Sequence, residues 1–94
     1  MTKTQTAIIE ILLEIMGEEL SGVELSPATE LLGETRIITS VALVELCIKL
    51  EDIALDAGSE FDWVSESAMS RGRSIFRTIE SLAAEFDLQV GSAR

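Results

Sequence analysis

Apolar side chains recur along three stretches of this chain with the period of a helix buried on one face. In residues 4–20, TQTAIIEILLEIMGEEL, the positions Ile8, Ile9, Leu12, Ile15, Met16 and Leu20 fall at helical spacing, with Glu10, Glu14 and Glu18 elsewhere on the wheel. Thr4 or Thr2 can cap the start, so a first helix is predicted over 4–19. In residues 40–57 a continuous stripe runs through Leu43, Leu46, Cys47, Leu50, Ile53 and Ala54. A second stripe, Val41, Val44 and Ile48, lies to one side of it, and Glu45, Lys49, Glu51, Asp52 and Asp56 are the polar remainder. Gly58 follows in the position where helices commonly end, so the longest helix is predicted over 39–57. A third stripe, Ile75, Phe76, Ile79, Leu82, Ala83 and Phe86, predicts a helix over 74–87 with Ser74 as its N-cap. Leu12, Ile15, Leu43, Leu46, Leu50, Ile53, Phe76, Ile79 and Leu82 are the expected core.

The connections differ in kind. Residues 21–38 carry Ser-Gly, Ser-Pro and Gly33 as breakers, which predicts a loop of unusual length for a small domain. Its apolar members Val23, Leu25, Leu31 and Leu32 predict that it packs down on the helices. A short helix is predicted near 64–70, and residues 88–94 read as a frayed tail. No stretch has strand character. The reading is therefore all-α: one domain over 1–94 with its core in 4–87, built from three long helices and one short one around a long first loop.

Composition narrows the function. With 47% hydrophobic residues the chain can build one modest core. The formal charge is −10, and it is uneven: residues 1–70 hold 14 acids against Lys3, Arg36 and Lys49, a net of −11. Residues 71–94 hold four arginines against three acids, a net of +1. Such a surface repels nucleic acid and anionic lipid and attracts proteins with basic patches. Arg71, Arg73 and Arg77 are too few for a nucleic-acid site. There is no histidine, no nucleophile paired with a base, no phosphate loop and no metal-ligand spacing, so neither a catalytic nor a metal site is expected and the chain does not read as an enzyme. Glu10 and Glu14 interrupt the first apolar stretch, which argues against a secretory signal or a membrane span. The lone Cys47 reads as a small buried hydrophobe, and a monomer in a reducing cytoplasm is the expectation. Trp63 reads as a lid on the end of the core rather than as a contact for a ligand.

One hydroxyl stands out by position. Ser40 falls at the start of the longest helix, where free backbone N–H groups and the positive end of the helix dipole favour a phosphodiester. The simpler role for a serine there is the N-cap, but Thr39 can fill that role and leave Ser40 free. Val41, Val44 and Ile48 beside Glu45, Glu51 and Asp52 form either a docking face or an ordinary helix surface covered by the loop at 21–38.

The order of these elements resembles the acyl carrier protein family. Two stretches carry the resemblance: Ile15-Met16-Gly17-Glu18-Glu19-Leu20, and Glu30-Leu31-Leu32-Gly33 followed by Thr39-Ser40-Val41-Ala42-Leu43-Val44-Glu45-Leu46 and Leu50-Glu51-Asp52. The resemblance implies an acyl-carrier-like four-helix bundle. It also implies a 4'-phosphopantetheine arm on Ser40 that holds an acyl or aminoacyl group as a thioester. Implied partners are a phosphopantetheinyl transferase and acyl-loading or acyl-transfer enzymes, docked on Val41, Val44, Glu45, Ile48, Glu51 and Asp52. Thr39 and Val41 stand where the family signature has Asp and Leu. The segment from Ala57 to Val64 is longer than usual and holds Trp63. Both departures touch surfaces that partners read, which points to a carrier for a specialised biosynthetic pathway. The alternative is an acidic helical adaptor of the same shape that is never modified.

Overall fold

The computed structural model describes residues 1–32 and 38–91. Among them the ordered elements are helical, and the only strand-like feature is an isolated antiparallel bridge between Glu30 and Thr78. Helix α1 spans Lys3–Met16, α2 Ser40–Asp56, α3 Glu66–Ser70, α4 Gly72–Ile75 and α5 Ile79–Val90, with a 3-10 turn at Gly17–Leu20 after α1. The radius of gyration, 12.6 Å, is what a compact chain of this length should have, about 12–13 Å. No helix among the described residues is long and apolar enough to cross a membrane.

Helix α1 begins in a capping box. The Thr2 hydroxyl accepts the Gln5 N–H, and the Gln5 side chain accepts the Thr2 N–H in return. The helix ends earlier than its apolar spacing predicts, because Gly17 turns to φ +50° and starts the 3-10 turn. Ile8, Ile11, Leu12 and Met16 form the buried face, and α1 packs on both α2 and α5. The core-facing row of α2 is Ala42, Leu46, Leu50 and Ala54, spaced by four, with Cys47 beside it. The end of α2 is fixed by Gly58 at φ +78°, where the Gly58 N–H donates to Leu55 O and the Ser59 N–H to Ala54 O. That pair of bonds satisfies carbonyls the helix leaves open.

Several expected core positions shift. Leu12, Leu46, Leu50, Ile79 and Leu82 are fully buried, whereas Ile15, Leu43 and Phe76 are half-buried and pack against the core from its edge. Ile53 remains 41% exposed, because it lies at the margin of the core-facing row in the last turns of α2. The third long helix starts at Ile79, not near Ser74. Its N-cap is Thr78, whose hydroxyl accepts the Ser81 N–H while the Ser81 hydroxyl accepts the Thr78 N–H. The loop supplies the rest of that helix start: Thr29 O accepts the Ile79 N–H and Pro27 O the Glu80 N–H. Ser74 instead belongs to α4, so the single short helix expected becomes two, meeting at Arg71.

The long loop is packed down in part. Leu31 and Ile38 are buried, Leu25 and Leu32 are half-buried, and Val23 is exposed. Gly33, expected as a breaker, lies outside the described residues, as do residues 92–94 of the tail. The nearer part of that tail is helical rather than frayed. Helix α5 continues through Leu88 and Gln89 to Val90, which is buried. Gln89 explains the extension: its side chain accepts the Asp62 N–H at 2.7 Å and donates to Asp62 O at 3.0 Å, clamping the 59–65 segment to α5. Phe61 and Phe86 reinforce the join, their tilted rings centred 5.3 Å apart.

Candidate functional site

The start of α2 separates two hydroxyls that are adjacent in sequence. Thr39 is extended, at φ −74° and ψ 159°, and its Oγ1 accepts the Ala42 N–H at 3.1 Å. Thr39 is therefore the cap. Ser40 is the first helical residue and is exposed, and its hydroxyl makes no hydrogen bond to a described residue. A group attached there would stand in solvent over the first turn of a 17-residue helix, where N–H donors and the dipole favour an anion.

Helix α2 is apolar on two sides. Its core-facing row looks onto α1. Roughly 160° round the wheel from Leu50, at 100° per residue, stands Ile48, in line with Val41, Val44 and Leu55. These four are 68% (Val41), 45% (Val44), 48% (Ile48) and 61% (Leu55) exposed, so the described part of the loop does not cover them. Glu45 and Asp52 flank the stripe and are exposed. Glu51, expected on the same rim, is half-buried and accepts the Trp63 Nε1–H at 2.6 Å. Of the six residues expected on a docking face, Val41, Val44, Glu45, Ile48 and Asp52 are exposed together, and Glu51 ties down Trp63. Leu55 was absent from that set although the same spacing continues to it, seven residues beyond Ile48.

Beyond α2 the 59–65 segment builds a second apolar surface. Asp62 organises it: its carboxylate accepts from the Val64 and Ser65 N–H groups and the Ser65 hydroxyl. The Ser65 side chain, then its backbone N–H, hold that carboxyl below the usual range, so Asp62 stays ionised. Trp63 packs against the edge of the core, as a lid would. It also forms one wall of a cleft of about 370 Å³ lined by Leu32, Leu43, Val64, Met69, Gly72, Arg73 and Phe76. Val64 and Met69 are exposed, at 61% and 70%. No pattern along the chain marks this cleft, because it forms only where four separate segments meet.

Cys47 is 1% exposed, and burial, then the nearby Glu51 charge, push its thiol up from 9.0 to about 12. It is a core residue. Its folded-state value exceeds the unfolded one, so the stability it lends is complete below about pH 9 and is lost as pH rises toward 12. Alkylation by iodoacetamide at pH 8 should be slow in the native chain and fast in denaturant. Equal rates in the two states would contradict this burial.

Compared with known proteins, the chain matches no family model, no curated protein and no solved structure.

Proposed function

We propose that this chain is an acyl carrier, holding an acyl or aminoacyl group as a thioester on a 4'-phosphopantetheine arm attached to Ser40. The observation that carries the reading is the division of labour at the start of α2: Thr39 closes the cap and leaves the Ser40 hydroxyl exposed, with no hydrogen bond to a described residue. The residues suit the group. The arm's phosphodiester would lie at a helix N-terminus, where backbone N–H groups and the dipole favour an anion. The arm supplies the thiol that carries the cargo, which the chain lacks, since its own Cys47 is buried and protonated. In this reading the protein performs no catalysis and works in the cytoplasm as a monomer presented to other enzymes. Its helices form a carrier-like bundle in which α1, α2 and α5 are the long members. Thr39 in place of an acid, and the extended segment around Trp63, suit a carrier dedicated to one specialised pathway.

The exposed stripe of α2 with its acidic flank is the docking face for the transferase and the loading enzymes, which meet it with basic patches. Glu45→Lys and Ile48→Asp should each slow phosphopantetheine transfer about tenfold or more at limiting protein. Both positions are exposed, so stability should change by only about 0.5 kcal/mol. Added salt should weaken docking to the native chain. Transfer rates indifferent to both substitutions and to salt would rule out this face. The carrier reading itself is tested by incubating the purified chain with coenzyme A and a panel of phosphopantetheinyl transferases. A mass gain of one arm is expected, and its absence with every transferase favours the unmodified adaptor, which would use the same face for binding alone.

A further inference from the structure

The cleft beside Trp63 has an unusual edge. Its walls are Leu32, Leu43, Trp63, Val64, Met69 and Phe76, and among the described residues no acidic side chain lines it. Among the described residues the one charged group on it is the Arg73 guanidinium. Neighbouring Arg71 is committed to Glu85 at 3.1 Å. Arg73 is exposed and has no ion pair or hydrogen bond to a described residue. In a chain of net charge −10, a cation that no described residue pairs, set on an apolar cleft, is complementary to an anion attached to an apolar body.

The cleft also lies within reach of Ser40. Leu43 is three residues on from Ser40 along α2, on the same helix face and about 4.5 Å further along its axis. Its volume of about 370 Å³ sits at the small end of ligand clefts, which run from roughly 300 to 1,000 Å³. Gly72 keeps one side open, since a Cβ there would meet only Phe76 Cδ2 at 3.9 Å. Met69 can adapt its unbranched side chain to an aliphatic guest.

We propose that this cleft receives an aliphatic chain whose far end carries a carboxylate, paired with Arg73, so that the cargo is an acyl group with a terminal anion. The proposal rests on the Ser40 reading for how the chain arrives, while the cleft and its arginine can be tested without any arm. A carboxylate suits the site better than a phosphate ester. One guanidinium balances a single negative charge, whereas a phosphate monoester brings about −1.5 to −2 into an already acidic chain. The acidic body repels anions at long range, but that repulsion is screened within about 8 Å at physiological salt, and the contact with Arg73 is direct.

The test uses the unmodified 94-residue chain with decanoate and decanol as probes, below their aggregation limits. The fluorescence of Trp63, the sole tryptophan, is the readout. Decanoate should give a saturable change with an affinity about tenfold above that of decanol, the scale of a charge-assisted hydrogen bond. Arg73→Gln should erase that difference and leave decanol binding as it was. Gly72→Leu should fill the cleft and weaken both probes about tenfold, with circular dichroism checking the helices. Equal binding of the two probes, an Arg73→Gln chain that still prefers decanoate, or undiminished binding in a folded Gly72→Leu chain would each overturn the proposal. Because Arg73 is exposed, the Arg73→Gln comparison decides the matter even where Gly72→Leu fails to fold. None of these outcomes bears on whether Ser40 carries an arm, which is read by mass.

Discussion

Ser40→Ala should abolish phosphopantetheine loading and leave the fold as it is. The loss should be complete, because the attachment needs an oxygen nucleophile at that position and alanine has none. The fold should tolerate the change because the Ser40 hydroxyl bonds to no described residue and the side chain is exposed. Alanine is also the best helix former, so the first turn of α2 loses nothing by propensity. Thr39→Ala makes the contrast. It removes the bond from the Ala42 N–H to the Thr39 hydroxyl and should cost about 1 kcal/mol, as lost caps do, while loading at Ser40 persists. Loading of the Ser40→Ala chain, or loss of loading in a folded Thr39→Ala chain alone, would mean that the two hydroxyls have the opposite roles.

Leu46→Ala should destabilise the chain by roughly 2–5 kcal/mol. Leu46 is wholly buried in the Ala42, Leu46, Leu50, Ala54 row that α2 turns toward α1. Removing its isobutyl group leaves a void at the contact with α1, and Ala42, one turn before it in the row, is too small to fill it. Domains of this size have only about 5–15 kcal/mol of net stability, so a large part of the folded population is at stake. Urea unfolding followed by circular dichroism measures the loss. Ile53→Ala is the matched control. Ile53 is 41% exposed, and its truncation should cost under about 1 kcal/mol. Similar losses at the two positions would show that the core-facing row lies elsewhere on the helix.

The comparison of Leu46 with Ile53 also shows what the chain alone can reveal. Spacing locates α2 and its core side, because a buried stripe must repeat with the helical period. It does not locate the margin of that stripe, since how far burial extends depends on where neighbouring helices end. The start of α5 is a similar case. Ser74 and Thr78 are both good caps locally, and Thr78 is the one used where Pro27 and Thr29, some fifty residues away, accept the first N–H groups of the helix. Gln89 carries no local signal at all, yet its clamp on Asp62 keeps the end of α5 helical. At the site, the separation of Thr39 from Ser40 was legible, because it depends on position within one helix, whereas the exposure of Val41, Val44 and Ile48 was left open, because it depends on where the loop at 21–38 packs. Glu51's bond to Trp63 and the cleft with Arg73 on its edge were not, because they join segments distant in sequence.

The most direct test of the carrier assignment is the intact mass of the protein purified from its native host, followed by fragmentation of the peptide that contains Ser40. The account predicts a mass gain of one 4'-phosphopantetheine, with or without an acyl group, located on Ser40 and absent from Thr39. A chain that is always recovered at its unmodified mass, or that carries its arm on another residue, would contradict it.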